Sequence, residues 1–200
     1  MIITGKNNKL KYIGPYKVIK TLAISGFSNV YLVEDIKDSN KLYALKALKD
    51  SSEKYKLQNE LNTYKKISKH KNILELSKVF KSSHRWFFLF EYADEYNLEK
   101  QVEIHGIFDE KKLLNVLKDM LSVLKYTHNL NIIHNDIKPD NILLNNDKYC
   151  LSDWGLSKQN ETVHIINLQS DDFYTAPELY KGHLYKSSDI YSLGITLYNL

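Results

Sequence analysis

The sequence predicts an α+β fold in two lobes, a β-rich first half (residues 1–93) and a mainly helical second half (94–200). Three observations carry this reading. Runs of β-branched and aromatic residues, bounded by turn-like clusters, crowd the first ninety residues. A single helical pattern interrupts them. A long apolar stripe at helical spacing then opens the second half.

In chain order, YKVIKTLAI (16–24) and NVYLVEDI (29–36) read as a hairpin around SGFS, and KLYALKAL (41–48) as a third strand reached through the turn-like KDSN. The stretch 51–70 is helical, because Leu57, Leu61 and Tyr64 fall at i, i+4 and i+7; its Lys-rich remainder reads as a solvated face. ILELSKVF (73–80) and RWFFLFEY (85–92) complete a five-stranded first lobe. A longer helix spans 109–129, with Asp109 as N-cap and Leu113, Leu117, Met120, Leu121 and Leu124 as its apolar stripe. Two short strands, ILL (142–144) and KYCLS (148–152), follow, and the apolar-rich SSDIYSLGITLYNL (187–200) reads as a last helix.

Composition bounds the function. Apolar residues at 43% and charged residues at 26% are a globular balance. The net charge of +4 comes from lysines scattered along the whole chain, which argues against nucleic acid as a partner. One cysteine, Cys150, excludes an internal disulfide and suits a reducing, cytoplasmic setting, the nucleus included. No apolar stretch has the length of a membrane span, and no signal peptide precedes the fold.

The chemistry concentrates in IIHNDIKPDNILLNND (132–147). Pro139 keeps this segment from being regular helix. A carboxylate, a Lys two residues on and an amide five residues on fit phosphoryl transfer, which needs an oriented hydroxyl, a cation at the moving phosphoryl and oxygen ligands for Mg²⁺. Asp136 suits the base, Lys138 the cation, and Asn141 supplies an oxygen for a hard metal ion. In LSDWGLS (151–157), Asp153 follows the second short strand, so a turn between the strands returns it beside Asn141.

These residues resemble the eukaryotic protein kinases. HNDIKPDN is similar to their H-R-D-x-K-x-x-N loop, DWG to D-F-G, APE (176–178) to A-P-E, and YALK to the strand motif V-A-I-K. The resemblance covers roughly 16–200 and implies a two-lobed kinase fold with an incomplete helical second lobe. It implies ATP and Mg²⁺ as cofactors, with Asp136 and Lys138 catalytic and Asn141 and Asp153 holding the metal. Lys46 would bind the α- and β-phosphates, oriented by Glu60. The rest of the nucleotide pocket would be Leu22, Ala23, Ser25, Gly26, Phe27, Ser28, Val30, Ala44, Phe90 as gatekeeper, Glu91, Ala93 and Leu143. Lys138 points to the Ser/Thr class, hence a protein substrate with a Ser or Thr acceptor.

Departures qualify the resemblance. The three expected glycines are Ala23, Ser25 and Ser28, leaving Gly26 offset. Asn135 replaces the Arg that answers loop phosphorylation, although Thr162 and Ser170 stand as acceptors. Asp171 replaces an expected Thr, and Trp154 replaces Phe, with an N–H that needs a partner if buried. Cys150 reads as a buried, inert thiol, and His134 as a residue that holds the loop by hydrogen bonds. Glu178 is expected to lack its Arg partner. The 187–200 helix is expected to be apolar on more than one face and to be covered by self-association or a protein partner. The alternative to a Ser/Thr kinase is a non-catalytic, truncated mimic that regulates another kinase or its substrate.

Overall fold

The computed structural model describes residues 2–4, 10–26, 28–49, 54–67, 70–82, 84–159, 162–164 and 173–200. The chain divides into two compact units, Met1–Lys54 with Glu75–Tyr92, and Tyr55–Leu74 with Ala93–Leu200.

The first unit is one antiparallel sheet of β1 (Ile2–Thr4), β2 (Leu10–Ile13), β3 (Tyr16–Ile24), β4 (Ser28–Asp35), β5 (Asp38–Leu48), β6 (Leu76–Ser82) and β7 (Arg85–Glu91). Its order is β1-β2-β3-β4-β5-β7-β6. The sheet thus has seven strands where the sequence reading gives five. β1 and β2 are three and four residues long, too short for alternation to show. Gly14, at φ +60°, turns β2 into β3. β5 begins inside the expected 37–40 turn, because the Asp35 carboxylate accepts from Lys37 N–H at 2.9 Å and closes the turn earlier. Period two sends Tyr31, Val33, Leu45, Ala47, Phe87 and Leu89 to one face, where they form a core with Ile13 and Tyr16.

The second unit contains α1 (Lys54–Ile67, from Tyr55 onward), α2 (Leu98–His105), α3 (Glu110–Asn129) and α4 (Lys186–Tyr198). The sequence reading puts α1 in the first lobe, but its side chains bond to 155–159 of the second unit, Asn59 to Gly155 and Ser157, Lys66 to Gln159. α2, two polar turns opened by an Asn97 cap, has no counterpart in the sequence reading. Asp109 caps α3 as expected, accepting from Lys112 N–H at 2.8 Å. The buried stripe of α3 is Val116, Met120, Val123, Leu124 and Thr127, so Leu121 of the expected stripe is exposed. α4 is not buried all round. Ser188, Asp189, Leu193 and Thr196 are inside, whereas Ile190, Tyr191 and Tyr198 are exposed.

Short strands complete this unit. β8 (Ile132–Ile133) pairs with β11 (Lys158–Gln159), β9 (Ile142–Asn145) with β10 (Lys148–Leu151), and β12 (Thr162–His164) with β13 (His183–Tyr185). Glu178 accepts a hydrogen bond from the Ser188 hydroxyl at 2.5 Å. Among the described residues, no helix is long and apolar enough to cross a membrane.

Candidate active site

Buried apolar residues anchor the loop that follows β8. Ile132, Ile133 and Ile137 are at most 1% exposed, which leaves the polar residues between them to bond the loop's own backbone and its neighbours. Asp189, at the head of α4, receives the N–H groups of His134 and Asn135, each at 2.9 Å, and the His128 ring at 2.8 Å. The His134 ring is wholly buried. Its Nδ1 accepts from Asp136 N–H at 3.2 Å, so Nε2 carries the proton and donates to Ser152 O at 2.9 Å. It therefore holds the loop, as the sequence suggests. Asn135 sits at φ +67°, a left-handed conformation that Asn tolerates better than most residues.

Asp136 is gripped from both sides. Lys138 Nζ lies 2.9 Å from one carboxylate oxygen. Asn141 Nδ2 donates to the other at 2.9 Å and to Asp136 O at 2.8 Å. A 3-10 turn, Pro139–Asn141, sets this spacing. With its nitrogen turned to Asp136, the Asn141 amide directs its oxygen the other way.

The β9–β10 hairpin returns the chain to the same place. Leu151 pairs with Ile142, and Ser152 donates to Asn141 O from both N–H, at 2.9 Å, and hydroxyl, at 3.0 Å. Asp153 leaves one residue later, at φ +57°, its carboxylate accepting from Gly155 N–H at 3.4 Å. A side-chain amide oxygen and a carboxylate are the hard donors Mg²⁺ takes, and it fills its remaining positions with water and substrate oxygens. The residues present therefore fit that ion. Leu143 is half-buried and bridges Asn97, Ala93 is buried, and Cys150 is a buried thiol, in keeping with an inert role.

Trp154 is wholly buried, its ring edge-on to His134 at 4.5 Å between centroids. Its N–H finds no acceptor among the described residues. Glu60, 2% exposed, belongs to this unit with α1. A Cβ on Gly155 would lie 3.3 Å from an Asp153 oxygen, close enough to crowd that carboxylate, and 3.6 Å from a Glu60 oxygen, an ordinary contact. Burial first, then the Glu60 and Asp153 carboxylates, push the Tyr64 phenol well above its usual range. Asn59, Thr63 and Ser157 are the residues here that the sequence reading passes over. The signal available was polar Asn59 and Thr63, four apart, outside the apolar stripe on the part of the helix taken as solvated.

In the first unit, the face opposite the aromatic core gathers most of the expected nucleotide residues. Ala23 pairs with Val30, Val30 with Lys46, Lys46 with Phe88 and Ala44 with Phe90, which puts Ala23, Val30, Ala44, Lys46 and Phe90 on one surface. Lys46 is 9% exposed and Phe90 6%. Leu22 falls in a β-bulge and is exposed. Glu91 accepts from Glu75 N–H at 3.0 Å. The expected partners Lys46 and Glu60 fall in different units, and each is described in its own.

The glycine-poor turn closes on itself. Ser25 donates to Ser28 O from N–H, at 2.9 Å, and hydroxyl, at 3.0 Å, while Ser28 N–H donates to the Ser25 hydroxyl at 3.0 Å. Gly26 has open space around it. Phe27, Ser170 and Asp171 lie outside the described residues, and Thr162 is described by its backbone alone.

Residues 16–200 match the protein kinase domain family. The chain belongs to that family. Among kinases it resembles, calcium-dependent protein kinase 5 of Plasmodium berghei is 32% identical over 66% of this chain and 24% of its own length. Serine/threonine-protein kinase PrkC of Bacillus subtilis is 27% identical over 94% of this chain and 30% of its own. The membrane-associated tyrosine- and threonine-specific cdc2-inhibitory kinase wee-1.3 of Caenorhabditis elegans is 33% identical over 69% of this chain and 21% of its own. This kinase chain thus spans a third or less of the length of each of these three relatives.

Proposed function

We propose that this chain transfers the γ-phosphoryl group of ATP to a Ser or Thr hydroxyl of a protein substrate. The observation that carries the reading is the grip on Asp136, with Lys138 on one carboxylate oxygen and Asn141 on the other. Asp136 accepts the hydroxyl's hydrogen bond and takes its proton as the new O–P bond forms and the bond to the departing ADP oxygen breaks. Lys138 balances charge on the phosphoryl oxygens. Asn141 and Asp153 would hold Mg²⁺, which neutralises phosphate charge when bound. Lys46 takes the α- and β-phosphates, and Ala23, Val30, Ala44 and Phe90 offer the apolar face beside it. The names of serine/threonine-protein kinase PrkC and of the tyrosine- and threonine-specific wee-1.3 both include threonine-directed transfer, which supports this acceptor class.

A second reading, a non-catalytic regulator of another kinase, has the closed Ser25–Ser28 turn behind it. N–H groups that would meet phosphates are there spent on the turn itself.

Transfer from γ-labelled ATP to a generic basic protein separates the two. Asp136→Ala is expected to lower the rate by about 10²–10⁴-fold, and Lys46→Met to abolish transfer with the fold intact. Wild-type activity in Lys46→Met removes Lys46 from the mechanism. ATP binding without transfer by the wild type favours the regulator.

A further inference from the structure

Four consecutive backbone carbonyls, residues 154–157, each accept a side-chain hydrogen bond. Ser157 Oγ donates to Trp154 O at 2.7 Å. Asn59 Nδ2 reaches Gly155 O at 3.2 Å and Ser157 O at 2.8 Å. Asn135 Nδ2 reaches Leu156 O at 3.3 Å. Because the Ser157 hydroxyl gives its single hydrogen to Trp154 O, Thr63 must be the donor in the 2.9 Å contact between the two hydroxyls. Thr63 and Ser157 are 0% exposed, so this relay runs inside the second unit, where an unmade bond is costly. Glu60 and Tyr64, on the same face of α1, border Asp153 and Gly155.

From this geometry, we propose that Asn59, Thr63 and Asn135 are positioning residues. They clamp the 154–157 turn between α1 and the loop before Asp136, and so fix Asp153. The role assigned to Asp153 rests on the phosphotransfer reading; the clamp itself does not. Apolar packing would let the turn slide. Directional bonds from Asn59 and Asn135 to three successive carbonyls, 155–157, permit one registration.

The chain has two tryptophans, so Trp86→Phe leaves Trp154 as the sole tryptophan, excited selectively over tyrosine at long wavelength. In that background, Asn59→Leu and Thr63→Val keep the shape and delete the donors, whereas Thr63→Ser restores one. Asn59→Leu and Thr63→Val are expected to red-shift Trp154 emission and raise its acrylamide quenching severalfold, with unfolding still cooperative. Thr63→Ser stays with the parent. The Mg²⁺ concentration for half-maximal transfer rises about tenfold in the first two, with KM for the protein substrate unchanged. Should Asn59→Leu fail to fold, Ser157→Ala cuts the same relay with a smaller change and is expected to expose Trp154 likewise. Parent-like quenching in both Thr63→Val and Ser157→Ala overturns the clamp. A parent chain without transfer whose Trp154 still responds leaves the clamp standing and removes the phosphotransfer reading instead.

Discussion

The Trp154 indole is wholly buried with no acceptor for its N–H among the described residues, an arrangement that costs about 1–3 kcal/mol. The edge-on contact with His134 and the burial of so large a ring offset it. Glu99 is a second residue set by its surroundings. A hydrogen bond that the protonated Glu99 carboxyl donates to Asp140, then burial, raises its pKa from 4.5 to about 7. The folded state therefore holds this proton more tightly than the unfolded chain does. Its contribution to stability is full below pH 4.5 and is lost as pH rises through about 7. Melting temperature is expected to fall between pH 5 and 8 by more in the wild type than in Glu99→Gln. Parallel pH profiles for the two proteins would show that Glu99 carries no linked proton.

At the scale of elements, α4 does more than fill the core. Its first turn delivers Asp189, 1% exposed, to two backbone N–H groups and the His128 ring. The loop holding Asp136 is thus ordered by a side chain more than fifty residues away in sequence. Asp189→Ala strands these buried donors together, at a cost of about 3–5 kcal/mol, the range for breaking a buried charged network. A urea titration checks this through the midpoint at unchanged slope. A loss under 1 kcal/mol would mean the loop orders itself. The sheet works differently. Its strands need no partner side chain to sort Lys46 from Leu45, because alternation alone places them on opposite faces.

For the whole molecule, the division into two units does not follow chain order. α1 lies in sequence between strands β5 and β6, yet from Tyr55 onward it belongs with the helices. Asn59, Thr63 and Lys66 bond to 155–159, and the Tyr126 hydroxyl donates to Lys66 O at 3.3 Å. In native-state hydrogen exchange, the amides of residues 59–67 are accordingly expected to open with α3 and α4, not with β4 and β5. Exchange that tracks the sheet across a denaturant series would return α1 to the first unit.

The order of elements and the kinase resemblance were legible in the sequence, because strand alternation, the Asp109 cap and the H-N-D-x-K-x-x-N and D-W-G spacings are local properties of the chain. So was the hairpin that returns the chain to Asn141, where Ser152 bonds Asn141 O, since its two short strands pair across one turn. Two short strands and a two-turn polar helix stayed hidden, because too few residues lie in each for a period to emerge. Tertiary structure alone decided the partners of polar side chains. Glu178 met Ser188, Ser25 met Ser28, and Asn59, Thr63 and Asn135 met the 154–157 turn. A polar residue on a helix reads the same in sequence whether it faces water or a carbonyl ninety residues away. Only packing removes the water, and once it is gone each buried donor must find an acceptor.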